Sequence, residues 1–174
     1  QRQMCIRDRT RVDPMQIRLP YIALSLLLVA SITSLIAAEN WPRFRGPNAN
    51  GLHLAADLPT TWNESENIVW KSKTPGKGHS SPVIWDDQIW MATAMNEGHD
   101  LHALCFNRDG KLLHNIELFH IDKLEASNAL NSFASPTPAI EDGMVYLYFG
   151  TYGVAAIDTK TADVVWRRQD INLN

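Results

Sequence analysis

From Ser80 to Arg168 the apolar residues fall in short runs separated by small clusters of turn-forming residues. Ile89-Trp90-Met91-Ala92 and Val145-Tyr146-Leu147-Tyr148-Phe149 are apolar at nearly every position. A sheet with one wet face would alternate apolar and polar residues, so these runs predict strands covered on both faces. Asp86-Asp87, Glu141-Asp142-Gly143 and Arg108-Asp109-Gly110-Lys111 read as tight turns between them, the glycines being free to take positive φ. The pattern predicts strands at 80–85, 88–94, 100–106 and 111–117, then at 135–140, 144–149, 152–158 and 163–168.

The two groups of four repeat one another. Pro82-Val83-Ile84-Trp85-Asp86-Asp87-Gln88-Ile89-Trp90-Met91 overlies Pro138-Ala139-Ile140-Glu141-Asp142-Gly143-Met144-Val145-Tyr146-Leu147 at an offset of 56. Ala103-Leu104 overlies Ala156-Ile157 at 53, and Asp109-Gly110 overlies Thr161-Ala162 at 52. The shrinking offset predicts a longer loop in the first unit, around Asn96 to Asp100. Thr159-Lys160-Thr161-Ala162-Asp163 lacks a glycine and predicts a weaker, longer turn. Units of about fifty residues with one four-strand grammar imply antiparallel sheets stacked face to face, as in a β-propeller. A two-layer sandwich is the competing all-β arrangement.

The N-terminus has a different composition. Arg18, the uncharged stretch Leu19 to Ile36 and the small pair Ala37-Ala38 make 15–38 a secretory signal peptide, with cleavage expected after Ala37 or Ala38. An uncleaved anchor helix is the alternative, and the only expected route to a membrane. Residues 1–14 carry four arginines ahead of Met15 and read as a non-native extension. Five of the 16 basic and two of the 19 acidic residues lie in 1–38, which leaves the remainder at a net charge of −6. An acidic chain of this kind argues against a nucleic-acid partner. Cys5 falls in the leader, so Cys105 stands alone in an apolar strand and reads as a buried structural thiol.

Ala156-Ile157-Asp158-Thr159-Lys160-Thr161-Ala162-Asp163-Val164-Val165-Trp166 resembles the PQQ-like propeller repeat, whose usual form is Ala-Leu-Asp-x-x-Thr-Gly-Lys-x-x-Trp. Ala103-Leu104-Cys105-Phe106-Asn107-Arg108-Asp109-Gly110-Lys111-Leu112-Leu113-His114 is a degenerate copy, with Cys105 in place of the Asp and His114 in place of the Trp. Asn67-Ile68-Val69-Trp70-Lys71 resembles a third copy of the final strand. Trp41-Pro42-Arg43-Phe44-Arg45-Gly46-Pro47-Asn48 and Pro75-Gly76-Lys77-Gly78-His79-Ser80-Ser81-Pro82 resemble the opening of exported bacterial members. The resemblance implies an incomplete all-β propeller: an N-terminal arm at 39–66 and about two four-stranded antiparallel blades within 67–174. It also implies that Trp70 and Trp166 dock neighbouring blades, and that the protein is periplasmic or secreted.

The family name comes from a cofactor that many members do not bind. In the quinone-dependent dehydrogenases, PQQ sits beside calcium held by carboxylates and amides, and two adjacent cysteines lie near it. No Cys-Cys pair occurs here, so PQQ with calcium is expected only if further blades supply the site. Asp86, Asp87, Glu141 and Asp142 read as turn formers. His99 and His102 sit where no helix is expected, and His114 and His120 have no partner at ligand spacing, so no metal site and no catalytic residue is expected. His79, with Ser80 and Ser81, is the binding candidate, on a flexible Gly-rich loop entering an inner strand. Trp41, Phe44 and Trp62 are expected to pack the arm against the ring, with Arg43 and Arg45 over aromatic faces. The function expected is a binding or scaffold module for a protein or carbohydrate. A quinone-dependent dehydrogenase, or a descendant of one, is the alternative.

Overall fold

The computed structural model describes residues 40–54, 58–126, 128 and 130–171. The readings on 1–14 and 15–38 lie outside them. Among the described residues no helix is long and apolar enough to cross a membrane.

The chain is all-β, with two four-stranded antiparallel sheets inside one compact unit, Ala38–Asn174. The first sheet has the order β1 (Val83–Trp85), β2 (Gln88–Met95), β3 (Asp100–Asn107), β4 (Leu112–His120). The second repeats it with β5 (Ala139–Glu141), β6 (Met144–Tyr148), β7 (Val154–Asp158), β8 (Val164–Arg168). Eight strands were legible, with two differences. The opening strands are shorter than expected, three residues each; ahead of them residues 79–81 hydrogen-bond to Ala134 and Thr137. The first unit's extra residues do not make a longer loop: they lengthen β2 and β3 to eight residues each, against five in β6 and β7.

Cross-strand register assigns the faces. Val83, Trp90, Ala92, Ala103 and Cys105 share one face of the first sheet. Ile140, Val145, Leu147, Ala155 and Ile157 share one face of the second. These two faces meet in a single apolar core, in which Trp90, Val145, Leu147 and Ile157 are fully buried. Phe119 and Phe149 meet edge-on across it, with centroids 6.0 Å apart.

The sheets are stacked in the same sense. Ala139, Tyr146, Ala156 and Trp166 are the second-unit counterparts of the buried Val83-Trp90-Ala103 face, and they lie on the outer face of the second sheet. There Tyr148 and Trp166 are exposed. The outer face of the first sheet is partly covered by residues 67–76: Thr93 is buried, and its Oγ1 donates to the Pro75 carbonyl at 2.7 Å.

The sheets lie side by side at β1 and β5. There the Trp41–Pro42 backbone stitches them: Trp41 exchanges two hydrogen bonds with Ile84, and Ile140 N donates to Pro42 O at 2.9 Å. Gly46, at φ 78°, lies against the Trp41 ring so closely that a Cβ would come within 2.7 Å of it. The rest of the arm does not pack as expected. Phe44 is 60% exposed and Trp62 68%, and among the described residues neither Arg43 nor Arg45 lies over an aromatic face.

Candidate functional site

The loop Pro75–Pro82 positions the expected binding residues, and its glycines serve close approach. Lys77 exchanges backbone hydrogen bonds with Ala94 at 2.8 and 2.9 Å, which continues the edge of β2 beyond the end of β1. A Cβ on Gly76 would lie 2.5 Å from the Ala94 carbonyl oxygen, and one on Gly78 would lie 2.8 Å from that of Ala92. The loop is therefore an edge cover held against a strand, where the sequence suggested a flexible segment. It also satisfies strand groups that would otherwise be bare.

His79, Ser80 and Ser81 separate by role. Ser80 Oγ accepts from Ala92 N at 3.2 Å and donates to the Ser81 carbonyl. Ser81 N donates to Thr137 Oγ1, and the backbone N–H groups of His79 and Ser80 both donate to Ala134 O at 3.1 Å. The serines are thus structural ties between the two units. The His79 side chain is exposed. It lines an open groove of about 540 Å³ with Lys77, Asn131 and Ser132. That groove adjoins a second of about 550 Å³, formed by Met95, Asn96, Gly98 and Phe133. The volumes suit a small polar ligand or a side chain of a partner. Cys105 does not line the groove; it is fully buried, and its thiol is pushed up to about 12 by burial. Such a thiol stays protonated and unreactive.

Trp70 lies against the β3–β4 turn. Its Nε1 donates to the Arg108 carbonyl at 2.5 Å, and its ring covers Gly110 in the β3–β4 turn. Residues 67–71 form no strand, however, and Val69 is 95% exposed. The turn is built by Asn107, whose Oδ1 accepts from Asp109 N and Lys111 N. Asp158 does the same for Lys160 N and Thr161 N. Those two bonds hold the Asp158 carboxyl below its ordinary value of 3.8. The first unit's Asp is therefore replaced in its turn by Asn107, not by Cys105.

One docking residue gave no sign of itself in the sequence. His114 stands where the repeat has Trp: it stacks on Trp90 as Trp166 leans on Tyr146, both at 6.3 Å. The turn carbonyl of the second unit, Thr159 O, instead takes a hydrogen bond from Gln88 Nε2 at 2.9 Å. Gln88 Oε1 in turn accepts from Trp90 Nε1 at 3.0 Å. The amide of Gln88 does between the sheets what the Trp70 indole N–H does at Arg108. Its position at the start of β2, beside an acidic turn, gave no signal of this.

Three histidines gather elsewhere. His99, His102 and His120 lie near the far end of β3 and β4, where His120 Nδ1 is 2.6 Å from Asp100 Oδ1. That contact raises the His120 pKa above its ordinary 6.5. Trp166 has no docked turn among the described residues and is 40% exposed. No family model matches the chain, and no curated protein matches it.

Proposed function

We propose that this chain is part of an extracytoplasmic β-propeller of the PQQ-like repeat type, acting as a binding or scaffold module for a protein or carbohydrate partner. The observation that carries the reading is the same-sense stacking of the two units. Trp90 is fully buried in the core shared with the second sheet, while its counterpart Tyr146 lies with Trp166 on the outer face. Such stacking continues by adding further units of the same kind, and radial repetition of this sort builds a propeller. A sandwich closes instead on a second face and needs no successor. The loops at 76–80, 96–98 and 131–133 meet at one end, around the groove that holds His79. Loops carried on a rigid scaffold are where binding residues gather.

A photoreactive residue at position 79 of the exported protein tests this. The expected result is a discrete adduct with an envelope protein or glycan, suppressed by excess unmodified protein. No adduct, together with a PQQ- and calcium-dependent rise in melting temperature and dye-linked oxidation of alcohols or sugars, would replace this reading with a quinone-dependent dehydrogenase.

A further inference from the structure

The outer face of the first sheet carries a polar cluster at the β3–β4 edge, separate from the docking residues. In a regular strand Glu117 and His120 would point to opposite faces. A register shift opposite Leu101/His102 gives β4 one extra residue, Leu118, which turns into the core and is fully buried. Glu117 then pairs with His102 and His120 with Asp100, so all four share the outer face. Bulges re-aim side chains in this way and are often found beside functional sites.

One oxygen of Asp100, one of Glu117 and one ring nitrogen of His120 lie within 4.8 Å of one another. Asp122 Oδ1 is 3.5 Å from His120 Nε2. Three carboxylates thus surround one imidazole, which can offset at most one of their charges. Among the described residues no lysine or arginine forms an ion pair with any of the three. A His–Asp pair alone would need only one of these carboxylates.

We propose that Asp100, Glu117 and His120 form a binding site for a divalent transition-metal ion of the zinc class. One nitrogen and two oxygens are a donor set that zinc accepts, with water at the fourth position. Tetrahedral ligand atoms at about 2.0–2.2 Å from such an ion lie about 3.3–3.6 Å apart, so the ion would replace the 2.6 Å hydrogen bond between His120 and Asp100, that pair opening by just under 1 Å while Glu117 draws in from within 4.8 Å. Asp100 and Glu117 lie on adjacent strands, and Glu117 and His120, exposed on the edge strand β4, have the rotamer freedom for this, while half-buried Asp100 stays in place. Asp122 is placed to hold the other ring nitrogen of His120, the usual partner of a metal-bound imidazole. Magnesium and calcium prefer oxygen-only shells with more ligands, which this trio does not supply. The ion would fasten the end of β4 to β3.

The test is a zinc titration of the full chain, followed by melting temperature and calorimetry, with cobalt as a visible-absorption probe. Magnesium and calcium serve as comparison ions, and His120→Gln, Glu117→Gln, Asp100→Asn and, as a control away from both sites, His53→Gln as variants. Zinc raises the melting temperature, cobalt gives the visible bands of a low-coordinate N/O site, and each ligand variant weakens zinc at least about tenfold. H53Q leaves zinc binding unchanged. Since these side chains lie at the surface, the ion-free variants should melt close to the parent, which separates lost binding from lost fold. No zinc response, a response retained in H120Q and E117Q, or an equal response to magnesium would overturn the proposal.

Discussion

Replacing Gly110 by alanine should be among the most damaging small substitutions in the chain, and the reason is the ring it carries. Gly110 has φ 79°, a conformation that costs an L-residue about 1–2 kcal/mol. The added Cβ would lie 2.5 Å from Trp70 Cε3 and 2.6 Å from Ser72 Oγ, so the indole must leave. Trp70 is 40% exposed, which leaves somewhat over half of its surface covered. On a side chain that buries about 200 Å², this is worth up to about 3 kcal/mol. The bond to Arg108 O adds about 1 kcal/mol. G110A should therefore cost about 3–5 kcal/mol, and Trp70→Ala about 3–4 kcal/mol. Gly143 is the internal control. Its φ is 80°, but nothing lies within 4 Å of the methyl group that alanine would add, so G143A should show only the backbone cost of about 1–2 kcal/mol. Urea unfolding of both variants, and of G110A combined with W70A, measures the difference. In the W70A background G110A should fall most of the way to the G143A value, leaving only the contact with the movable Ser72 hydroxyl. If G110A costs no more than G143A in the parent, or if the double variant is additive, the docking argument is wrong.

Gln88→Leu should destabilise by about 2–3 kcal/mol in the same assay, because it strips the buried Trp90 N–H of its acceptor and Thr159 O of its donor. Gln88→Glu should cost less, since it keeps the acceptor for Trp90. Ala162 occupies φ 63° where the first unit has Gly110. Ala162→Gly should raise stability by about 0.5–1 kcal/mol, the relief of left-handed strain less the entropy of glycine, and a melting temperature that falls would contradict the turn geometry. The depressed Asp158 carboxyl favours folding while ionised. Its contribution is full above the unfolded value and is lost as pH falls through the lower folded value. D158N should therefore flatten the acid limb of a plot of melting temperature against pH, and an unchanged acid limb would show that the Lys160 and Thr161 bonds are not made in solution.

The strands were legible because their signals are local. Continuous apolar runs such as 145–149 require cover on both faces, and turns such as Glu141-Asp142-Gly143 mark their limits. The repeat then fixed which residues are counterparts, so Trp166 could be matched with Trp70 before any contact was known. What stayed hidden depends on pairing between distant segments. Ser80 and Ser81 resemble site residues in sequence, yet their hydrogen bonds run to Ala92 and Thr137. Gln88 acts across the junction between sheets, 71 residues from Thr159. Leu118 looks like any strand residue, and only the ladder with β3 reveals the extra position that brings Glu117 and His120 to one face. Phe44 and Trp62 show the opposite failure, since aromatic character suggested packing that the fold does not provide.

The two like sheets stack in the same sense, with the Val145 face inward and the Tyr146 face outward. Nuclear Overhauser spectroscopy on the protein with labelled aromatic rings tests this most directly. Same-sense stacking predicts strong cross-peaks between the Phe119 and Phe149 rings, 6.0 Å apart, and none from Trp90 to Tyr146. Cross-peaks between Trp90 and Tyr146, with Phe119 silent toward Phe149, would place the wrong face of the second sheet in the core and contradict the account.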